Sequence, residues 1–141
     1  MSENRFELVH PPCVEERSAD YDEGMTAWKA GACDEAREIF RDALDGCGQN
    51  IWIHLALGKM ALQEEQKLEL ARGHLGYVIE LANQALAAQR HGTLDIHSPA
   101  NQPVFEAIEC LIEVFKQLKQ SRAIEDLNRL AHRFSGPQAE S

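Results

Sequence analysis

The feature that most constrains this chain is an internal repeat. Gly24 and Gly58 lie 34 residues apart, as do Ala27 and Ala61. One inserted residue later, Ala36 matches Ala71, Phe40 matches Leu75, Ala43 matches Val78 and Leu44 matches Ile79, all at 35. A period of this length is that of a helical hairpin that cannot bury its apolar face alone and therefore stacks on a neighbour. The matched residues alternate in size for a packing reason. Gly24, Ala27, Ala36 and Ala43 let two antiparallel helices approach closely, while Phe40 and Leu44 fill the space toward the next hairpin.

Periodicity places six helices. Ser18 followed by Ala19, Asp20 and Tyr21 reads as a cap and an acidic first turn, opening a helix over about Ala19–Ala30 that carries Tyr21, Gly24, Ala27 and Trp28 at spacings of three and four. Gly31 lies past its end, where a left-handed residue is often needed. The second helix, about Asp34–Asp45, sets Ala36, Ile39, Phe40, Ala43 and Leu44 on one face and Glu35, Arg37, Glu38, Arg41 and Asp42 on the other. Further helices are predicted over about Ile51–Gln63, Lys67–Gln89, Val104–Lys119 and Arg122–Phe134. The segment RHGTLDIHSPANQP reads as a loop broken by Gly92, Pro99 and Pro103. Hairpin-turn signals between alternating apolar runs are missing, so no sheet is predicted. The chain divides into an N-terminal extension (1–17), a helical domain (18–136, with units at about 18–50, 51–91 and 102–136 and a loop at 92–101) and a frayed tail (137–141).

The residues Gly24, Ala27, Gly31, Asp34-Glu35-Ala36, Phe40 and Ala43-Leu44 resemble the tetratricopeptide repeat family: a small residue late in the first helix, a glycine between helices, then a DEA…F..AL pattern. The match over Asp20 to Asn50 is good, departing at Gly48, where the family often has proline, and at Asp20, where a large aromatic is usual. The second unit keeps Leu57, Gly58, Ala61, Ala71 and Leu75 but has QEEQK in place of the inter-helix glycine, and the third is degenerate. The resemblance implies an all-α fold of antiparallel hairpins stacked as a short right-handed superhelix of about six helices.

It also implies a concave groove lined by the first helix of each unit. Carried over by position, the groove residues are Tyr21, Met25, Trp28 and Lys29, then Trp52, Leu55, Lys59 and Gln63, then Ile108, Ile112 and Lys116. Such an aromatic and apolar surface with a few lysines suits an amphipathic or extended apolar segment of a partner protein. The family variant that grips a C-terminal carboxylate needs Lys and Asn at set positions; Tyr21 and Met25 stand in two of them, which argues against that specificity. The competing expectation is that these aromatics are core, or that FELVHPPCVEER covers the groove with Phe6, Leu8 and Val9.

Charge narrows the partners. The net charge is −9, from 23 acidic and 14 basic residues, and the densest basic stretch, KQLKQSR, is broken by glutamines. Phosphate backbones are bound by Lys/Arg neutralisation, so neither nucleic acid nor a membrane surface is expected as a partner. There is no apolar run near the ~20 residues of a membrane span, and MSENRFELVHPPCVEERSAD lacks the basic start and apolar core of a secretory signal. The expectation is a cytoplasmic protein, a monomer or weak homodimer.

Cys13, Cys33, Cys47 and Cys110 are widely spaced with no CxxC pair, and are read as small buried apolar side chains rather than metal or redox groups. Of the six histidines, His91 and His97 flank the loop around Asp95; no HExxH and no i, i+4 pair occurs. No GxSxG, Walker-type loop or GxGxxG is present. The function expected is a non-catalytic interaction scaffold without a cofactor or metal. Two alternatives stand beside it. Length and acidity resemble the chaperones of type III secretion translocators, which hold an apolar client, although the loop and irregular third unit fit these poorly. A metal or enzymatic role would use the His91–His97 loop.

Overall fold

A computed structural model describes residues 5–89 and 92–136, and the predicted tail at 137–141 lies outside these. The chain is all-α apart from one minimal strand pair. In order, the elements are β1 (Arg5–Phe6), α1 (Pro12–Glu16), α2 (Ser18–Lys29), α3 (Cys33–Gly46), α4 (Ile51–Gln63), α5 (Leu68–Ala87), β2 (Thr93–Leu94), a 3-10 turn (Pro99–Asn101), α6 (Gln102–Gln117) and α7 (Ser121–Ser135). The six periodic segments are thus all helices. Three of them form antiparallel hairpins with their successors, α2 with α3, α4 with α5 and α6 with α7. Each hairpin also packs on the next, α3 against α4 and α5 against α6.

The repeat in the sequence is a repeat of contacts. Gly24 on α2 faces the ring of Phe40 on α3, and Gly58 on α4 faces Leu75 on α5. The inter-helix turns repeat as well. Gly31 has φ +86, Gln66 has φ 56 and Lys119 has φ 58. Each is the left-handed residue that ends a helix so that the chain can reverse. The glycine expected between helices is therefore replaced in conformation, not only in sequence, by Gln66 and Lys119. Around these turns the N–H groups of Ala32, Lys67 and Gln120 reach back to Ala27, Ala61 and Phe115.

Helix α4 is central. It is apolar around most of its circumference because it is packed from both sides. Ile53, Ala56, Leu57 and Met60 join Ala27, Ala36, Phe40 and Ala43 in one cluster. Ile51, Leu55, Ala61 and Leu62 join a second cluster with α5, α6 and α7. Its N-terminus is capped by buried Asn50, whose Oδ1 accepts from Trp52 N at 3.1 Å and Ile53 N at 3.3 Å.

The N-terminal residues read as an extension are built into the domain. β1 pairs in parallel with β2, Arg5 with Thr93 and Phe6 with Leu94. Buried Asn101 clasps this strap: its Oδ1 accepts from Leu8 N at 2.8 Å, and its Nδ2 donates to the Phe6 and Asp95 carbonyls at 2.8 and 3.0 Å. The strap then runs to Cys13, which forms a disulfide with Cys47 just past α3, 34 residues away in sequence. This corrects the reading of the cysteines for that pair; Cys33 and Cys110 are free thiols. Wide spacing hid the bond, because a lone disulfide carries no local signature.

Candidate functional site

The first helices of the three hairpins contribute to one shared face. Lys59 on α4 makes an ion pair with Glu106 on α6 at 2.5 Å. Tyr21 on α2 lies within the field of both: burial raises its phenol above the ordinary value, Glu106 raises it further and Lys59 lowers it. Burial opposes the Lys59 ammonium, but the hydrogen bond and charge of Glu106 outweigh it, and the amine titrates above its usual range. Cys110, one turn along α6 from Glu106, has a thiol raised by burial, with Lys59 pulling it down and Glu106 and Glu109 pushing it up. A lysine held by a carboxylate and a thiol held protonated are poor nucleophiles.

Toward the start of α4 the face becomes apolar. A cavity of about 220 Å³ is lined by Val14, Glu15, Ser18, Tyr21, Asn50 and Trp52. Short helix α1 thus forms one side of it, and the Cys13–Cys47 bond anchors that helix. On its other side Trp52 meets the strap: the His10 ring stands edge-on to the indole at 4.5 Å between centroids, and His10 Nε2 donates to the Ala100 carbonyl at 2.9 Å. At the far end of α4 a groove of about 440 Å³ runs between Gln63 and Gln66 on one side and Glu109, Cys110 and Gln117 on the other.

The structure divides the predicted groove residues. Tyr21, Met25, Trp28, Trp52, Lys59 and Ile112 are half-buried, and Lys29, Gln63 and Lys116 are exposed. Leu55 and Ile108 are buried members of the core that α4, α5, α6 and α7 build together, and offer almost no surface to a partner. Trp28 donates its indole N–H to Glu64 at 3.2 Å, which ties α2 to the end of α4. The strap covers part of this face, but differently from the expectation: Val9 points outward at 96% exposure, Leu8 joins the core, and Phe6 packs at Gly92. Glu106 and Val14 were not singled out in the sequence, and Cys110 was read there only as a small buried apolar side chain; the i, i+4 spacing of Glu106 and Cys110 was the one local signal available.

The loop holding His97 has Asp95 Oδ1 accepting from the His97 backbone N–H at 2.9 Å, an Asx turn. His91, the other histidine of that expectation, lies outside the described residues. Among the described residues, no group of three or more His, Cys, Asp or Glu side chains is arranged to hold a metal ion. A pair of histidines does meet elsewhere. His54 on α4 and His74 on α5 place their Nδ1 atoms 3.1 Å apart. Among the described residues, no helix is long and apolar enough to cross a membrane. No protein-family model, no curated protein and no solved structure matches this chain.

Proposed function

We propose that this chain is a non-catalytic interaction scaffold, a short tetratricopeptide-like right-handed stack of three hairpins. It binds an apolar or amphipathic segment of a partner protein along the face shared by α2, α4 and α6. The observation that carries the reading is the convergence of Tyr21, Lys59 and Glu106, one from each first helix, next to the apolar cavity between Tyr21 and Trp52. Aromatic rings beside a cavity are the anchors that interface hot spots favour, and the Lys59–Glu106 pair offers a polar register mark next to them. The repeated glycine contacts and left-handed turns support the stack itself. The scaffold works as a monomer or weak homodimer, with neither nucleic acid nor membrane as its partner.

The test is affinity capture on the intact chain against a Tyr21→Ala, Lys59→Glu variant, with captured proteins mapped by cross-linking. A partner retained by the first, lost by the second and cross-linked to α2 or α4 supports the reading. Equal capture by both, or cross-links confined to other faces, overturns it.

A further inference from the structure

The contact between His54 and His74 has features that packing alone leaves unexplained. Two imidazoles facing each other through Nδ1 at 3.1 Å share one proton, so one ring presents N–H and the other a lone pair. The orientation is fixed from behind: His54 Nε2 donates to the Gly48 carbonyl at 2.9 Å, which leaves the His54 Nδ1 lone pair aimed at His74. The Tyr77 ring lies 4.4 Å from the His54 ring between centroids and limits its rotation. Both rings stand on neighbouring helices, not on a loop, so their separation is set by the α4–α5 packing.

With His54 Nε2–H held by the Gly48 carbonyl, the His54 Nδ1 carries no proton, which is the state a ligating nitrogen must have. Ligands at ~2.0–2.1 Å in a tetrahedral site stand about 3.3 Å from each other, close to the observed separation. A backbone carbonyl held by the far ring nitrogen, as Gly48 is here, is the usual means of orienting a ligating histidine.

We propose that His54 and His74 form a two-histidine site for a borderline divalent cation of the zinc class. Both Nδ1 atoms ligate, and the remaining positions are left to water or to a donor from a partner. Binding moves the proton of His74 from Nδ1 to Nε2, so both rings stay neutral. The ion rivets α4 to α5 beside the end of α3. One charge opposes it: Arg41, on α3, lies close enough to disfavour a cation at His74. Removing it is expected to strengthen metal binding.

The test titrates Zn2+ alone into the untagged full-length protein. Calorimetry follows stoichiometry, and histidine ring nitrogens are followed by NMR. One saturable equivalent is expected, with the His54 and His74 Nδ1 signals shifting together. His54→Gln and His74→Gln should each weaken binding by more than about tenfold. Arg41→Gln should tighten it by about threefold or more, and His97→Gln should leave it unchanged. The ring-nitrogen shifts in the unsubstituted protein keep the test valid if a variant fails to fold. No saturable equivalent, Nδ1 signals that do not move, or binding that survives the double substitution overturns the site.

Discussion

Gly24 is seated against the ring of Phe40: a Cβ at Gly24 would lie 2.7 Å from the ring's Cδ1 atom, and Phe40 is fully buried with nowhere to move. The same relationship recurs one unit later, where a Cβ at Gly58 would lie 2.7 Å from Leu75 Cγ. Each hairpin closes on a glycine that lets a large side chain of the second helix reach the backbone of the first.

Gly24→Ala should therefore destabilise the protein by about 1–3 kcal/mol, the cost of overpacking a closed core, despite the better helix propensity of alanine. Gly73→Ala, with open space at its Cβ, should instead stabilise by up to about 1 kcal/mol. Urea denaturation of the two variants checks this, and opposite signs are the expected outcome.

Lys119 holds a left-handed φ of 58 at the α6–α7 turn, where the first hairpin uses Gly31. A side chain in that region costs about 1–2 kcal/mol. Lys119→Gly should stabilise the chain by about 1 kcal/mol, read as a higher denaturation midpoint. The same change at Gln66 should act alike, since its φ is 56. Substituting Gly31→Ala should do the reverse.

Mass spectrometry under non-reducing conditions should find Cys13 linked to Cys47, with Cys33 and Cys110 free. Helix α1 buries no residue of its own and has no side-chain cap, so the bond is its main anchor. Cys13→Ser should cost about 2–4 kcal/mol and make residues 11–17 the first site of proteolysis. Disulfides persist in oxidising surroundings, so in a reducing cytoplasm the strap would be held by the Asn101 clasp and the β1–β2 pair alone. Asn101→Ala in the Cys13→Ser background should then release the whole segment. Its release should shift Trp52 fluorescence, because the His10 ring contacts that indole.

Acid should weaken the α4–α5 hairpin. His54 and His74 titrate below the ordinary histidine value of 6.5 in the folded chain, His74 at about 4. The unfolded chain therefore binds more protons than the folded chain between these values, and stability falls as pH drops from 6.5 toward 4. Above 6.5 both states carry neutral rings and the contribution is complete. Thermal melts of the parent and a His54→Gln, His74→Gln variant across that window check the sign. The gap between them should narrow with acid.

The six main helices were legible because their information is local. Apolar residues at spacings of three and four and the turn at Gly31 each act over a few positions, and the Gly24/Gly58 repeat announced that the units would stack. Part of the candidate face was legible for the same reason, since Tyr21, Trp52 and Lys59 follow from position within each repeat. What the sequence could not assign depends on pairings across many residues. The Cys13–Cys47 bond, the clasp of Asn101 on Leu8, the parallel pairing of Arg5 with Thr93 and the meeting of His54 with His74 join positions 34, 93, 88 and 20 residues apart. None leaves a periodic trace. Burial likewise was decided only in three dimensions: Leu55 on α4 and Ile108 on α6 share a register with groove residues, but both belong to the core cluster that α4, α5, α6 and α7 form together.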